Sequence, residues 1–400
     1  MPDDLRSLTP AELGASITSA GQPRFRAEQV FRWLHGHGIT AVDAMTNLPL
    51  DLRETLGRQF PIRPLTLDMM QIAADGTRKM RFLTQDGRNI ESVLIPEEKH
   101  GDDPGDEHDL DMGTGAGTAK LRALNLDVRP AGSTPPRDKL TLCVSSQIGC
   151  ALDCAFCATA TLGFGRNLSA GEIVQQVYTA TAEAGRRPSN LVFMGMGEPL
   201  HNLQNVTRAF QILTHPWGAA FSPRRITVST AGLVPGIMEL AKLAPAPNLA
   251  ISLNATTDEI RDRLMPINRK WPIAELLRAA RAFPLAHGRK VTFEYVLLAG
   301  VNDSDADAER LPRLLKGIEC MINLIPWNPF SGPAFARPSA ERIRTFQEIL
   351  RRHHMQTYIR SPRGDDIDAA CGQLAARGES SLVPAPTKPD ASRDGGFSPR

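Results

Sequence analysis

The chain lacks the features that mark membrane, secreted and disulfide-rich proteins. It has 400 residues and a formal net charge of only +2. No apolar run approaches the roughly 20 residues that a membrane helix needs. The N-terminal sequence MPDDLRSLTP lacks the basic and apolar regions of a secretory signal. Because 42% of the residues are apolar and 22% are charged, the composition is that of a soluble globular protein. We therefore expect a cytoplasmic protein without a membrane partner.

Cysteine is scarce, with six residues in 400, which excludes a disulfide scaffold. Four of the six fall close together, at positions 143, 150, 154 and 157, and the other two, Cys320 and Cys371, are isolated. In an intracellular protein, clustered cysteines are typical of metal or cofactor ligands, or of catalytic thiols.

Residues 1–65 are predicted to form a small, separate helical domain. Thr9 and Glu12 form a capping box around Pro10, which starts a helix. Apolar residues then recur at helical spacing in 24–34. They are Ala27, Val30, Phe31 and Leu34. Residues 66–98 change character: two β-rich runs flank Asp86-Gly87, which predicts a β-hairpin extension.

Two segments have the composition of disordered chain. Residues 99–138 are rich in Gly, Pro, Asp and Ser, and GDDPGDEHDLDM at 101–112 carries six acids without a Lys or Arg. We expect a disordered insertion there, and a second disordered segment in the Pro-rich tail, 377–400. The rest of the chain is mildly basic. Outside the acidic run there are 38 of the 44 acidic residues, against 46 Lys and Arg.

From 139 to 376, apolar β-rich runs alternate with helical segments, which predicts a parallel sheet. The six β-rich runs are 140–144, 191–194, 225–229, 249–253, 291–298 and 322–326. The helical segments begin at Ser169 and cover about 203–214, 234–243, 258–264, 273–287, 304–317 and 339–353. Six repeats are short of an eight-fold barrel, so the pattern favours an α/β fold with an open partial (β/α)6 barrel. A doubly wound open sheet is the alternative. Both place function at the carboxyl ends of the strands.

Cys150, Cys154 and Cys157 form a C-x3-C-x2-C motif directly after the first of these strands. Three thiolates on one loop can hold three irons of an iron–sulfur cluster and leave a fourth iron open to a substrate. Such a cluster suits the reductive cleavage of a sulfonium. The alternative is structural zinc, which usually takes four ligands. Only Cys143 lies nearby as a fourth ligand, and it is within the strand, so the spacing favours the cluster.

Several further motifs accompany the cysteines in a fixed order. They are TLCVSSQIGCALDCAFCATATLGFGRNL, VFMGMGEPLHN, RRITVSTAGLVP, ISLNA, MPINRK, INLIPWNPF and RGDDIDAACGQL. This set resembles the RlmN/Cfr family of radical S-adenosylmethionine (SAM) methyltransferases, which modify adenosine in ribosomal RNA. The resemblance covers about residues 20–376 and departs only in 99–138 and the tail. It makes 139–376 the radical SAM core.

The resemblance implies cofactors and the residues that hold them. It implies one [4Fe–4S] cluster per chain on Cys150, Cys154 and Cys157, and two SAM molecules per turnover. The residues that match SAM-binding positions are Gly197, Glu198, Ser229, Ser252, Leu253, Asn254 and Asn328. From the residues alone, Met194–Pro199 also fits an ordinary Gly/Pro turn after a strand. Asn254 stands where many relatives carry His.

The resemblance also implies a mechanism with two further cysteines. One SAM methylates Cys371, and a second yields a 5′-deoxyadenosyl radical that takes a hydrogen from the S-methyl group. The methylene radical then adds to adenine, Glu91 accepts the ring proton, and Cys143 attacks Cys371 to release methylated RNA and form a disulfide. The residues alone leave simpler interpretations open: Cys371 as a small buried hydrophobe, and Glu91 as a solvated carboxylate on a strand. Cys320 matches no role and is expected in the core.

The implied substrates are an adenosine in the peptidyl transferase centre of 23S rRNA and the adenosine 3′ of the tRNA anticodon. The target base has to be extruded toward the cluster. Arg24, Arg26 and Arg32 lie mostly off the apolar face of their helix, where they form either a solvated face or phosphate contacts. A flavodoxin-like electron donor and a monomeric state complete the expectation.

Three other functions compete with methylation at carbon 2 of adenine. Cfr-type methylation at carbon 8 uses the same motifs. A radical enzyme that does not methylate would not need Cys371. A zinc-bound RNA-binding module would need no catalysis at all.

Overall fold

The computed structural model describes residues 4–96 and 139–375. The predictions of a disordered insertion at 99–138 and a disordered tail at 377–400 fall on residues outside these ranges. Residues 96 and 140 nevertheless face each other as partners in two adjacent strands. The segment between them therefore connects neighbouring strands.

A ten-stranded sheet organises the described chain, in the order β1-β2-β3-β4-β7-β8-β9-β10-β11-β12. Its strands are β1 (Thr66–Ile72), β2 (Arg78–Leu83), β3 (Asn89–Pro96), β4 (Leu140–Cys143), β7 (Asn190–Phe193), β8 (Ile226–Thr230), β9 (Asn248–Ser252), β10 (Val291–Leu297), β11 (Cys320–Pro326) and β12 (Thr357–Ile359). A separate two-stranded sheet pairs β5 (Gln147–Gly149) with β6 (Phe164–Asn167).

The strands from β4 to β12 in the large sheet run parallel and follow one another in chain order. A doubly wound sheet reverses its strand order at a switch point. The unbroken order therefore agrees with the partial α/β barrel and disagrees with the doubly wound alternative. The barrel strands are buried, as parallel strands covered by helices must be.

Helices connect the strands and cover the sheet. In the N-terminal part they are α1 (Pro10–Ser19), α2 (Phe25–Phe31) and α3 (Leu50–Gln59). In the barrel they are α4 (Ala170–Ala184), α5 (Leu203–Thr214), α6 (Val234–Leu240), α7 (Asp258–Leu264), α8 (Ile273–Ala282), α9 (Asp305–Leu314) and α10 (Ala340–Arg352). The predicted capping box is present at Thr9 before α1, and a second one is present at Ser169 before α4, where the sequence places the start of a helical segment.

Besides the β5–β6 sheet, the structure adds to the large sheet two strands that the sequence pattern did not predict. The hairpin of β2 and β3 is confirmed, but β1 pairs with β2 and widens the extension to three antiparallel strands. A seventh parallel strand, β12, follows the six predicted ones. The helix expected over 273–287 ends at Ala282, because Pro284 disfavours helical backbone in the residue before it.

The N-terminal helices pack directly on the barrel helices. The predicted apolar face of α2 is fully confirmed as buried, and its side chains belong to the same hydrophobic core as the barrel. Ser7 accepts a hydrogen bond from the backbone N–H of Gly171 at the start of α4, at 2.8 Å. Arg208 on α5 pairs with Glu12 at 2.7 Å. The domain boundary that the sequence places at residue 65 stays a prediction.

One buried hydrogen bond across this contact gives a stability test. His35 Nδ1 and the Tyr178 hydroxyl are 2.7 Å apart, while His35 Nε2 has no hydrogen-bond partner in the described ranges. Burial lowers the pKa of His35 to about 3, so the ring is neutral. Tyr178→Phe leaves Nδ1 unpaired as well and should reduce the free energy of unfolding by about 1–3 kcal/mol. Urea denaturation measures the change.

Tyr358→Phe is the matched control for this substitution. Tyr358 is half-buried in β12, where water can replace a lost hydrogen bond, so we expect a change within about 0.5 kcal/mol. Equal stability of Tyr178→Phe and the wild type would show that the His35–Tyr178 bond does not stabilise the N-terminal contact.

Candidate active site at the carboxyl ends of the barrel strands

The three motif cysteines lie on the loop that follows β5, beginning with Cys150. The β5–β6 hairpin closes this loop, with Cys150 N–H donating to the Gly163 carbonyl oxygen at 2.8 Å. Gly149 has a φ of +69°, and a Cβ there would lie 1.9 Å from the Gly163 oxygen. Only glycine therefore fits immediately before the first cysteine.

The three thiols lie close enough to influence one another. Cys154 interacts electrostatically with both Cys150 and Cys157, and burial raises the pKa of all three thiols, that of Cys150 to about 12. Buried thiols of this kind are held as thiolates only by a cationic partner such as iron. Three soft sulfur donors on one loop fit an iron–sulfur cluster.

The same cysteines do not suit the zinc alternative. In residues 4–96 and 139–375, no three His, Cys, Asp or Glu side chains group closely enough to hold one metal ion. A zinc ion needs four donors at about 2.0–2.3 Å from one point. A four-iron cluster offers a different iron to each thiolate, so its ligands need not converge.

The turn Met194–Pro199 follows β7 and packs against the start of the cysteine loop. Gly197 has a φ of +95°, and a Cβ there would lie 2.4 Å from the Gln147 Cβ. Glu198 is 3% exposed, and its carboxylate accepts from the backbone N–H groups of Leu200 (3.1 Å) and Ala231 (2.8 Å). Burial raises the pKa of Glu198 to about 7. The carboxylate thus joins the ends of β7 and β8 and keeps lone pairs for a further donor.

The other residues that match SAM-binding positions also lie at the carboxyl ends of strands. Ser229 is the last residue but one of β8, where it pairs with β9. Ser252 ends β9, and Leu253 follows it. Asn254 and Asn328 come after β9 and β11. The structure therefore brings the predicted positions to one edge of the sheet, and their contacts with SAM stay a prediction.

The side chains of the two asparagines already have structural partners. Asn254 has a φ of +56° and is 1% exposed; its amide accepts from Val296 N–H at 2.8 Å and donates to the sulfur of Met265 at 3.3 Å. The Asn328 amide donates to the Cys371 carbonyl oxygen at 3.1 Å.

Cys371 lies beside the cysteine loop although 214 residues of sequence separate it from Cys157. The Ala158 N–H donates to the Gly372 carbonyl oxygen at 2.7 Å, and the Thr159 hydroxyl donates to the Leu374 carbonyl oxygen at 2.6 Å. Cys371 is exposed, yet desolvation raises the pKa of its thiol. The exposure of Cys371 does not fit a small buried hydrophobe.

Cys143 is buried at the end of β4, and the charge of Cys371 is among the causes that raise the pKa of its thiol, after desolvation. The two thiols that the resemblance pairs therefore interact electrostatically. Cys320 is buried at the start of β11, as expected.

Glu91 is enclosed, so its interpretation as a solvated strand carboxylate is wrong. The residue is 2% exposed on β3. Its carboxylate accepts from the Ala375 N–H at 3.1 Å and lies 3.8 Å from the Lys79 ammonium. In the β3–β4 register, Val93 faces Cys143, and Glu91 lies two residues along the same face. The structure thus joins Glu91 to the loop of Cys371 and to the strand of Cys143.

Some residues at this edge were missed because their segments gave no motif. Glu294 on β10 is buried with a raised pKa, accepts from Asn323 at 2.9 Å, and acts electrostatically on Cys371. Arg261 on α7 is fully buried and bonds the ends of β8 and β9. The alternation of Thr292 and Glu294 with apolar residues along β10 is the one sequence signal that points to Glu294.

The N-terminal arginines differ in their surroundings. Arg32 pairs with Glu28 along the helix, and Arg26 donates to Gln29 and lies over the Phe25 ring. Arg24 is exposed. Their contact with RNA stays a prediction.

Two family models match the chain. The model of the radical SAM superfamily matches residues 144–311, and that of the ribosomal RNA large subunit methyltransferase N-terminal domain matches residues 3–62. In the described ranges, no helix has both the length and the apolar character to cross a membrane.

Curated relatives match nearly the whole chain. A dual-specificity RNA methyltransferase RlmN of Geobacter sulfurreducens is 46% identical over 94% of this chain and 92% of its own length. RlmN 2 of Myxococcus xanthus is also 46% identical, with the same coverage. The crystal structure of a radical SAM methyltransferase from Sphaerobacter thermophilus superimposes with a TM-score of 0.79 at 44% identity, over 94% of this chain and all of that one.

Gly197 gives a test of the proposed cofactor turn. Gly197→Ala places a methyl group against Gln147 and should displace the turn, so SAM binding should weaken at least about tenfold, as when one or two hydrogen bonds are lost. Calorimetric titration of the anaerobically reconstituted protein measures it. Gly185→Ala is the control, because Gly185 also has a positive φ, +66°, but has open space around it. Wild-type affinity in a folded Gly197→Ala protein would contradict the assignment.

Proposed function

Because the chain belongs to the RlmN family of radical SAM RNA methyltransferases, we propose that it methylates carbon 2 of adenosine in 23S rRNA and in tRNA. The rRNA target is in the peptidyl transferase centre, and the tRNA target is 3′ of the anticodon. The observation that supports this most is the contact between the cysteine loop and the Cys371 loop through Ala158 and Gly372. A radical SAM enzyme without a methyl-carrying cysteine has no need of that contact.

The cofactors follow from the family. Cys150, Cys154 and Cys157 hold one [4Fe–4S] cluster, and the strand ends from Gly197 to Asn328 hold SAM, used twice per turnover. Together these cofactors supply the methyl group and the radical that activates it. The protein positions the carrier thiol, keeps water from the barrel interior and handles the proton.

Carbon 2 of adenine is not nucleophilic, so direct displacement of a methyl group from SAM fails. A methyl group carried first by Cys371 avoids this obstacle. Glu91 accepts the proton that leaves carbon 2, and its carboxylate is 2% exposed and lies 3.8 Å from the Lys79 ammonium. Cys143 then attacks the Cys371 sulfur as a thiolate. The bond from that sulfur to the methylene carbon breaks, the carbon takes up a proton to become the methyl group on the RNA, and a Cys143–Cys371 disulfide remains.

The partners are RNA and a reductant. We place the enzyme in the cytoplasm as a monomer, reduced by a flavodoxin-like donor. The N-terminal helices contact phosphates through residues such as the exposed Arg24, a contribution that weakens with salt.

Nucleoside analysis tests the proposed product. The reconstituted enzyme is incubated with SAM, a reductant and unmodified 23S rRNA or tRNA, and the digested RNA is analysed by mass spectrometry. We expect 2-methyladenosine from both RNAs. If 8-methyladenosine is the sole product, the enzyme is of the Cfr type. A colourless anaerobic preparation with zinc and no iron would support the zinc-bound RNA-binding module.

The two thiols have distinguishable variants. Cys371→Ala should abolish methylation, since no residue then carries the methyl group. Cys143→Ala should stop after the RNA has joined Cys371, so a protein–RNA adduct should accumulate on a denaturing gel. Cys320→Ala is the matched control, because that thiol lies in the core at the start of β11, and it should methylate normally. Product formation by Cys371→Ala would favour a radical enzyme of another class.

A further inference from the structure

Arg261 is a fully buried cation next to the proposed active site. It is 0% exposed, although it belongs to the polar helix α7, whose sequence DEIRDRL has the composition of a solvated surface. Burying a guanidinium costs free energy unless it is hydrogen-bonded. Its surroundings therefore indicate what keeps it there.

All the hydrogen bonds of the guanidinium go to neutral oxygens. Nε donates to the Leu253 carbonyl at 2.9 Å, and Nη2 donates to the carbonyls of Ala231 (2.7 Å) and Ser252 (3.1 Å). Nη1 donates to the Asn268 side-chain oxygen at 2.9 Å. The planar fork thus fixes the carboxyl ends of β8 and β9 relative to each other. Two of these residues, Ser252 and Leu253, are proposed SAM contacts.

Asn268 lies between Arg261 and the acidic side chains of α7. Its amide donates to Asp258 at 3.0 Å and to Asp262 at 2.7 Å, while its oxygen accepts from Arg261. The two carboxylates are therefore connected to the guanidinium through a neutral amide. Both carboxylates also act electrostatically on Arg261, less strongly than Cys154 does.

The cysteine loop rests on the same helix. The Ala155 N–H donates to the carbonyl oxygen of Leu264, the last residue of α7, at 2.9 Å. Cys154, one residue earlier, is the first of the charged groups that act on Arg261. One helix therefore presents Arg261 to the ends of two SAM-binding strands and to a cluster cysteine at once.

We propose that Arg261 is a positioning residue for SAM and a buried cation that favours reduction of the cluster. This inference rests on the proposed function and names a residue that the family motifs do not assign. Reduction adds a negative charge, which a fixed cation stabilises strongly in a buried site. The same side chain holds the strand ends in the geometry that SAM requires.

Two substitutions separate the charge from the fork geometry. Arg261→Met removes both, so the midpoint potential of the cluster should become more negative and SAM affinity should fall about tenfold or more. Arg261→Lys keeps the charge but cannot bond three carbonyls in one plane. It should retain a potential near that of the wild type and still bind SAM about tenfold more weakly. Redox titration monitored by electron paramagnetic resonance and calorimetric titration with SAM give the two values.

Arg187→Met is the matched control. Arg187 also donates to a backbone carbonyl, that of Ala219, and lies over the Phe221 ring, but it precedes β7 and so lies at the opposite end of the strands. Its substitution should leave potential and SAM affinity unchanged.

The outcomes distinguish this inference from the proposed function. A wild-type protein that binds neither cluster nor SAM would contradict the proposed function itself. If the wild type binds both cluster and SAM, either of two results overturns the inference. One is an Arg261→Met protein whose midpoint potential is unchanged, and the other is unchanged SAM affinity in both variants. If Arg261→Met does not retain the cluster, Arg261→Lys decides: weaker SAM binding at an unchanged potential supports the inference, and wild-type affinity overturns it.

Discussion

The hydrogen bond from the Ala158 N–H to the Gly372 carbonyl oxygen joins two loops on which the proposed chemistry depends. One loop carries the three cluster cysteines after β4, and the other carries Cys371 near the end of the described chain. Thr159 and Glu91 bond the next residues of the Cys371 loop, at Leu374 and Ala375. Two contacts from the end of the cysteine loop and one from β3 therefore hold a segment without regular secondary structure at the barrel mouth. A methyl carrier has to reach both cofactor and substrate, so its loop is bonded where the strand ends converge.

Desolvation sets the chemical state of the thiols of Cys143 and Cys371. Desolvation raises the pKa of Cys143 and Cys371, so both remain neutral at physiological pH. Two neutral thiols can lie near each other without the repulsion that two thiolates would suffer. The cost is reactivity, because thiol–disulfide exchange needs a thiolate. In such a site, the exchange has to be coupled to the loss of a proton when the RNA is released.

The sequence predicts the parts of the site that depend on local spacing. C-x3-C-x2-C defines one loop, and the strand ends at Glu198, Ser229 and Ser252 follow from the alternation of β and α segments. The pattern could not predict β12, since three residues are too few to show a period. It also could not predict the burial of Arg261, because its polar helix looks solvated until the strand ends that it bonds are known. Similarly, Glu91 looks exposed on an isolated hairpin and is covered only when the Cys371 loop docks.

The N-terminal helices show the same dependence on long-range contact. Sequence composition predicted a separate helical domain, yet Ser7, Glu12 and the α2 face pack on α4 and α5 in a core shared with the barrel. Helix α4 itself begins at Ala170, soon after the β5–β6 hairpin that closes the cysteine loop. The N-terminal helices are therefore connected to the proposed active site through packed helices. If RNA phosphates bind those helices, the enzyme holds its substrate on elements that are rigidly connected to the thiols that act on it.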